Sequence, residues 1–307
     1  MKKPLTNVAA SVRQKLLNLT KKQGADFNRT LVRYAIERLL YRLSQHVAGE
    51  RFTLKGAMLF ITWPERTFRP SGDLDLLGSG APDPDSMERL FREISTIEDE
   101  SDGIRFDIDS ITVATVRTGE EEYQGVRISI DAHLDTANIK VLTDVGFGDN
   151  VYPAPKRIRF PCLLPDMRAA EILAYPPETV IAEKFEAMVR YGEATSRLKD
   201  FCDIWTIATT FPFEKATLAQ AIRGTLERRG TELPTTMPFA LTPAFAVIPE
   251  KQRAWDGFLR RNPPAVELPP FDQLVGELRQ FLGPVIGSLA LLESAVGSWD
   301  PSSGWSD

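Results

Sequence analysis

Two aspartates separated by one residue are the clearest chemical feature of the sequence. Asp73 and Asp75 lie in the stretch Asp-Leu-Asp-Leu-Leu, in which acidic and apolar residues alternate. On a β-strand this alternation places both carboxylates on one face, about 7 Å apart, and the leucines on the other. Two carboxylates at that spacing can bind a hard divalent cation such as Mg²⁺ or Mn²⁺. A half-buried strand with a solvated acidic face has the same pattern, so the surrounding residues must distinguish a metal site from an ordinary strand.

A basic residue and a hydroxyl group lie just before this pair. We expect Arg69 and Ser71 to contact the oxygens of a triphosphate while Asp73 and Asp75 hold Mg²⁺. Magnesium is usually bound through one or two carboxylates, several waters and the substrate phosphates. A short segment of this kind is therefore sufficient for a magnesium site.

The sequence Lys55-Gly56-Ala57 predicts a turn between a short strand over residues 52–55 and a helix that begins in the apolar run 57–62. Glycine allows backbone amides to approach a phosphate closely, and the start of a helix favours an anion. An ordinary turn glycine gives the same pattern. These residues therefore support a nucleotide site only in combination with the aspartate pair.

A third carboxylate near the pair would complete a site for in-line phosphoryl or nucleotidyl transfer, because it could support the metal that activates the attacking hydroxyl. Asp144 ends a predicted strand over residues 139–145 that could lie beside the strand of Asp73. Spacing alone leaves rival third acids open. They are Asp107, Asp109 and Asp131.

One lysine in the second half of the chain is also a candidate functional residue. Lys184 lies near the apolar stripe of a predicted helix over residues 177–191. A lysine in that position either extends from the edge of a core or offers a point charge to a phosphate. Asp200 or Asp203, on the following predicted helix, could pair with it and fix its position. The alternative interpretation is an ordinary set of salt bridges.

Helices and strands are mixed in the first half of the chain, which predicts an α+β fold. The sequence predicts helices over residues 9–22, 27–48 and 87–97, and strands over residues 108–116 and 126–134. In the strand 126–134, apolar residues at even positions alternate with polar residues, Arg127 among them, at odd positions, which predicts one apolar and one polar face. Prolines between residues 153 and 165 mark a connecting region. We place the domain boundary there, which gives domains over residues 1–160 and 161–307.

The second half is predicted to be mainly helical. Further helices are expected over residues 197–210, 215–229, 251–261 and 271–293, the last one interrupted at Gly283-Pro284. The segments 232–250 and 262–270 are predicted as proline-rich loops. The polar tail from Gly297 onward is expected to be frayed.

The composition excludes several classes of site. Two cysteines and two histidines supply neither a disulfide framework nor a histidine-based zinc site or catalytic triad. The cysteine usage favours a reducing cytoplasm. No apolar run approaches the roughly 20 residues that a membrane span requires, and no apolar signal core follows the initial Met-Lys-Lys-Pro.

The net charge of −5 conceals a basic N-terminal segment. Residues 1–51 carry 11 Lys and Arg against three acids, whereas residues 81–122 carry four Arg against 13 acids. A basic arm could steer an RNA toward the protein, although a solvated helical face gives the same count. The overall acidity argues against non-specific coating of nucleic acid.

Five linked motifs, in order over roughly residues 10–210, resemble the AbiEii/AbiGii nucleotidyltransferase toxins. They are RYAIERLLYRL at 33–43, LKGAML at 54–59, RPSGDLDL at 69–76, DVGFGD at 144–149, and YPPETVIAEKFEAMVR at 175–190 with KDFCDI at 199–204. The last hundred residues add no motif.

The resemblance implies a polymerase-β-like nucleotidyltransferase core with a mixed β-sheet, followed by a helical C-terminal part. It implies the toxin half of a bacterial toxin–antitoxin and abortive-infection system, with an antitoxin encoded nearby as a possible partner. Members of the family use an NTP and Mg²⁺. Several of them add nucleotides to the 3′ end of tRNA, which stops translation.

Carried over by position, the resemblance also assigns roles to residues. It places the turn, metal and phosphate contacts at Gly56, Ala57, Ser71, Asp73 and Asp75. In the second half it makes Lys184 the nucleotide-contacting lysine and Asp200 the distal acid, with Asp203 as a close rival. Two departures stand out: Ala57 removes a possible side-chain contact to phosphate, and Cys202 replaces an aromatic residue.

The leading hypothesis is therefore a cytoplasmic, Mg²⁺-dependent nucleotidyltransferase toxin whose acceptor is the tRNA 3′ end. Asp73 and Asp75 would hold the metal, Asp144 would help to activate the acceptor hydroxyl, and Lys184 would neutralise charge as pyrophosphate leaves. Two alternatives remain open. The acceptor could be a small molecule or a protein hydroxyl, or the chain could be a non-catalytic module that binds an NTP or a partner.

Overall fold

The computed structural model describes residues 7–63, 72–117, 124–261, 268–290 and 295–306. They belong to two compact units. The first contains the described residues up to Gly148 together with Arg157–Ala174, and the second contains Asp149–Lys156 and the residues from Tyr175 onward. The domain boundary expected at residues 160 and 161 stays a prediction.

Seven strands form one mixed sheet in the first unit. They are β1 Phe52–Lys55, β2 Asp73–Gly78, β3 Ile104–Arg117, β4 Gln124–Leu134, β5 Ala137–Phe147, β6 Lys156–Arg159 and β7 Glu171–Ala174. Their order across the sheet is β3-β4-β5-β2-β1-β7-β6. β2 runs parallel to β5 and antiparallel to β1. The α+β class and the mixed sheet are confirmed, whereas β6 and β7 are not predicted by the sequence.

Helices of the same unit pack against this sheet. The helices of the unit are α1 Val8–Gln23, α2 Phe27–Gln45, α3 Gly56–Leu59 and α4 Pro84–Ser95, and the contacts with the sheet are made by α1, α2, α4 and α3. Leu74 and Leu76 of β2 are buried, as are Ile128 and Ile130 of β4. The predicted alternation of both strands is therefore confirmed, and the polar residues of β2 lie on the opposite face.

Local capping explains where α4 begins. The carboxylate of Asp83 accepts a hydrogen bond from the backbone N–H of Ser86 (3.1 Å), and Pro84 occupies the first helical position. Both features favour a helix start at that point. The helix therefore begins three residues before the predicted start at Met87.

The N-terminal helices carry less surface charge than the sequence suggests. Arg38 and Arg42 on α2 are buried. Arg38 pairs with Glu37 (2.9 Å), and Arg42 pairs with Asp102 (2.6 Å). Because these two cations form buried ion pairs, fewer positive charges are exposed to an RNA than the count of 11 Lys and Arg implies.

The second unit is mainly helical, as predicted. Its helices are α5 Pro177–Tyr191, α6 Leu198–Ala208, α7 Lys215–Arg228, α8 Pro243–Ala246, α9 Pro249–Arg261 and α10 Phe271–Gly287. α5 packs against α6 and α7, and α10 packs against α6, α7 and α8. Within the described ranges of the whole chain, no helix is long and apolar enough to cross a membrane.

Two expectations for this unit are wrong in detail. Helix α10 is not interrupted at Gly283-Pro284, because Pro284 lies inside the continuous helix. The residue before a proline normally clashes through its Cβ, and Gly283 has none. The segment 232–250 is also not only loop: Thr242 caps α8, whose Phe245 is fully buried.

The C-terminal tail is ordered rather than frayed. β9 Ser298–Asp300 and β10 Gly304–Ser306 form a hairpin, and β9 pairs with β8 Phe213–Glu214. Trp299 and Trp305 pack on Phe281 of α10, with ring centroids 4.8 and 6.0 Å from that ring. The buried aromatic contacts therefore outweigh the polar composition that suggests disorder.

Candidate active site

A row of charged residues crosses the polar face of the sheet in the first unit. Lys55 on β1 lies in register with Asp75 on β2, and Asp75 lies in register with Asp144 on β5. Asp144 in turn is opposite Arg127 on β4. Neighbouring strands are about 4.8 Å apart, so these positions are adjacent across the sheet. Asp73 lies on the same face of β2, two residues before Asp75.

Gly56 provides the space in which the carboxylate of Asp75 lies. Its φ angle is +67°, in the left-handed region that glycine tolerates. A Cβ atom on Gly56 would lie 2.0 Å from Oδ2 of Asp75, which is far inside van der Waals contact. Both the backbone conformation and the packing therefore require glycine. The predicted importance of this turn has a steric basis within the first unit.

The helix that follows Gly56 is shorter than the apolar run suggests. α3 contains four residues, Gly56–Leu59, and continues as a 3-10 turn over Phe60–Thr62. A single turn carries little of the dipole of a longer helix. Ala57 is buried in the core, so its methyl group serves packing.

Asp144 is held by a residue that the sequence does not single out. Nε and Nη2 of Arg127 donate to Oδ1 and Oδ2 of Asp144 at 2.7 and 2.6 Å, which is a bidentate pair. The hydrogen bonds with Asp144, and the more distant charges of Asp73 and Asp75, raise the pKa of Arg127. The alternation of β4 places Arg127 on the polar face, and that is the only sequence signal for it.

The rival third acids lie on other parts of the sheet. Asp131 is on β4, opposite Lys140 of β5, and their charged atoms are 3.9 Å apart. Asp107 and Asp109 are on β3, which is separated from β2 by β4 and β5. Asp144 is thus the candidate on the strand next to β2. Within the described part of the chain, no three His, Cys, Asp or Glu side chains are grouped closely enough to hold a metal ion.

The chemistry of the donors on β2 fits Mg²⁺. Asp73 and Asp75 offer hard carboxylate oxygens on one face of one strand, and the missing Cβ of Gly56 leaves room for the carboxylate of Asp75. Mg²⁺ commonly uses one or two carboxylates and completes its coordination with water and phosphate. Asp73 and Asp75 are therefore the residues that would hold it. Arg69 and Ser71, the residues expected to contact phosphates, lie outside the described residues.

Lys184 is the centre of an ion-pair cluster in the second unit. Its Nζ donates to Asp200 Oδ1 (2.9 Å) and to Asp203 Oδ2 (2.7 Å), and Arg197 donates to the other oxygen of Asp200. Both carboxylates are almost fully buried. Burial opposes the charge of the lysine, but the two carboxylates raise the pKa of Lys184 to about 12. The predicted partners of Lys184 are therefore both present, and they hold it protonated.

A second cluster surrounds Arg229 and is not predicted from the sequence. The guanidinium lies 2.9 Å from Glu186 and 3.4 Å from both Asp149 and Glu183. Although burial opposes it, the carboxylates raise the pKa of Arg229 above its usual value. Asp149 closes the motif DVGFGD, and Glu183 and Glu186 lie in the motif at 175–190, so the sequence signals for this cluster are on the acidic side.

Comparison with known proteins gives one family match and weak structural likenesses. A model of the family described as nucleotidyl transferase AbiEii toxin, type IV toxin–antitoxin system, matches residues 38–277. No curated protein matches significantly. The crystal structure of JHP933 from Helicobacter pylori is 12% identical with a TM-score of 0.48, over 82% of this chain and 90% of that chain. A second H. pylori structure, described as a candidate nucleotidyltransferase, has the same identity and TM-score over 83% and 93%.

Proposed function

Since the chain belongs to the AbiEii family of nucleotidyltransferase toxins of type IV toxin–antitoxin systems, we propose that it transfers a nucleotide from an NTP to an acceptor hydroxyl with Mg²⁺ held by Asp73 and Asp75. The acceptor that we propose is the 3′ end of tRNA. Family membership establishes the class of enzyme and implies an antitoxin. We propose, beyond family membership, the identity of the metal, the residues that bind it and the acceptor.

The observation that carries this proposal is the fit between Gly56 and Asp75. The arrangement, in which the carboxylate of Asp75 takes the place of a side chain at Gly56, is open only to glycine, which tolerates this positive φ. It is reasonable for a carboxylate that must be fixed in direction before a cation and a triphosphate arrive. The neighbouring row of charges supports the same interpretation.

The proposed roles follow from the positions of the side chains. Bound Mg²⁺ would neutralise charge on the triphosphate and lower the pKa of the acceptor hydroxyl. Asp73 and Asp75 would hold the cation to which the triphosphate binds, and Lys55, beside Asp75, would supply positive charge for the phosphates. Asp144 is placed next to Asp75, where it would support a cation that activates the acceptor hydroxyl.

Lys184, Asp200 and Asp203 are proposed to act in nucleotide binding, with Lys184 as the cation for the leaving pyrophosphate. The proposal is supported by the geometry of Lys184, whose ammonium is held in one position by Asp200 and Asp203. A cation that is already held in place by two carboxylates needs little reorganisation when negative charge develops nearby.

A labelling experiment tests the proposal. The protein is incubated with each of the four α-³²P-labelled NTPs, Mg²⁺ and total tRNA, and label is measured in the RNA, protein and small-molecule fractions. We expect label in tRNA, and a loss of about a hundredfold or more in Asp73→Asn and in Asp75→Asn, because each change removes a charged ligand at constant shape.

Asp131→Asn is the matched control, because Asp131 is a carboxylate of the same sheet that pairs with Lys140. It is expected to keep wild-type transfer. Label in protein, or in a small-molecule product other than the NTP and its breakdown products, with tRNA unlabelled, would replace the proposed acceptor. Equal transfer by wild type and Asp75→Asn would rule out the proposed site.

A further inference from the structure

Arg127 occupies the carboxylate that a second cation would use. Resting on the proposed function, we propose that Arg127 is an internal counter-ion that holds Asp144 away from a cation at Asp73 and Asp75, so that the third carboxylate becomes available only when this ion pair opens. Arg127 is then a positioning residue of the nucleotidyltransferase site, and the site takes up cations in sequence rather than together.

The geometry of the pair supports this role. The two N–H groups of Arg127 approach the two oxygens of Asp144 one to one, at 2.7 and 2.6 Å. Both oxygens of Asp144 are thereby engaged from β4, the strand on the side of β5 opposite to β2. This arrangement agrees with the finding that no three acidic groups among the described residues are arranged to hold a metal.

The register explains why the sheet needs a counter-ion. Asp75 and Asp144 are directly opposite on neighbouring strands, and like charges in that arrangement are destabilising. Arg127 on the next strand offsets the repulsion. A divalent cation at Asp73 and Asp75 would offset it as well. The guanidinium and the cation therefore compete for one carboxylate.

An ordinary surface ion pair is the competing explanation. The side chains of Arg127 and Asp144 are 49% and 32% exposed, and pairs this exposed contribute little to stability. Such a pair would leave the affinity for a cation unchanged or would act only through its net charge. The two explanations therefore differ in whether the effect of removing Arg127 on cation affinity requires Asp144.

The test is a double-mutant cycle on metal affinity. Mn²⁺ binding is measured by electron paramagnetic resonance, at low ionic strength and without nucleotide, for the wild type, Arg127→Met, Asp144→Asn and the double variant. We expect Arg127→Met to bind Mn²⁺ about threefold to tenfold more tightly, since an exposed charge is partly screened. In the Asp144→Asn background the same change should alter affinity by about twofold or less.

Arg105→Met is the control for removal of a positive charge elsewhere on the sheet, since Arg105 is an exposed residue of β3. It should leave Mn²⁺ affinity unchanged. Circular dichroism establishes that each variant is folded.

Several outcomes would overturn the inference. They are an Arg127→Met variant without a gain, Mn²⁺ binding undetectable in both wild type and Arg127→Met, and a gain that persists in full beside Asp144→Asn. Label transfer reports on the proposed function separately. If the wild type labels tRNA and Arg127→Met shows no gain in Mn²⁺ affinity, only this inference fails. If the gain is present and no acceptor is labelled, only the proposed function fails.

Discussion

At the scale of single residues, the proposed metal site on β2 depends on the absence of a side chain at Gly56. The carboxylate of Asp75 fills the position that a Cβ of residue 56 would occupy. Contact with the backbone on that side restricts the rotation of the carboxylate. Its oxygens are therefore directed before any ligand binds, which is the usual requirement for a precise metal or phosphate site.

Gly56→Ala is predicted to lower nucleotide transfer by about a hundredfold or more, because the new methyl group must displace Asp75 by an ångström or more. Gly24→Ala is the matched control. Gly24 has a φ of +62°, close to that of Gly56, and nothing lies within 4 Å of the position that its Cβ would take. It should cost only the backbone strain of about 1–2 kcal/mol and keep activity. Equal losses of transfer in both variants would assign the effect to strain alone.

Lys184→Met is predicted to destabilise the protein by about 3 kcal/mol at neutral pH, because it leaves buried carboxylates without their main partner. The side chains of Asp200 and Asp203 are each 1% exposed. Urea denaturation followed by circular dichroism measures the loss. Lys140→Met, at an exposed lysine, should change stability little.

The loss caused by Lys184→Met should also depend on pH. Although burial opposes ionisation, Lys184 and Arg197 lower the pKa of Asp200 in the wild type. A lowered carboxylate pKa stabilises the fold above the unfolded pKa of 3.8 and loses that contribution as pH falls through the folded pKa. The stability difference between the two proteins should therefore narrow toward acidic pH. A difference that stays constant down to about pH 3 would contradict this origin.

At the scale of elements, local patterns are readable from the sequence and pairings between distant strands are not. The alternation of β2 and β4 identifies their buried faces, because a period of two is a local property. The register that sets Asp75 beside Asp144 joins strands far apart in the chain. The pairing of Arg127 with Asp144 depends on the register of the strands. The sequence therefore predicts that Arg127 lies on the polar face but does not predict its partner.

The composition of the C-terminal tail gives a wrong prediction, because the contacts of two tryptophans outweigh the many small polar residues. The tail is rich in serine and glycine, which indicates a frayed end. Trp299 donates to the carbonyl of Ala208 (2.7 Å), and Trp305 donates to that of Phe281 (2.8 Å). These contacts are to residues of α6 and α10, so they cannot be recognised within the tail itself.

Trp299→Ala is predicted to lower the free energy of unfolding by about 2–3 kcal/mol, because it removes aromatic contacts with Phe281 and one hydrogen bond. Val296→Ala, nearby but 66% exposed, should change it by less than about 0.5 kcal/mol. Denaturant titrations of both variants measure the difference. A Trp299→Ala protein as stable as the wild type would mean that the hairpin does not contribute to the unit.

At the scale of the whole molecule, some of the charged side chains are buried. Arg42 and Asp102 are both fully or almost fully buried and lie 2.6 Å apart. Removing one partner of such a pair leaves an uncompensated charge, at a cost of about 3–5 kcal/mol. That cost is a large part of the total stability of a typical domain, roughly 5–15 kcal/mol.

Substitutions that abolish growth inhibition should therefore fall into two groups when the toxin is induced in a bacterial host. Arg42→Met is predicted to relieve inhibition by lowering protein abundance several-fold, whereas Asp75→Asn relieves it at wild-type abundance. Immunoblots beside growth curves separate the groups. Arg51→Met, at an exposed arginine, should remain inhibitory. Wild-type abundance of Arg42→Met would show that the buried pair is dispensable.

The parallel pairing of β2 with β5 also sets the earliest point during synthesis at which the row of charges can be complete. Asp75 is made well before β4 and β5, which supply Arg127 and Asp144. Until those strands leave the ribosome, β2 has no neighbour on that side and the row of charges is incomplete. A nascent chain can therefore complete the row of charges only after β5 has been added, and a prematurely terminated chain that ends before β5 should be inactive in nucleotide transfer.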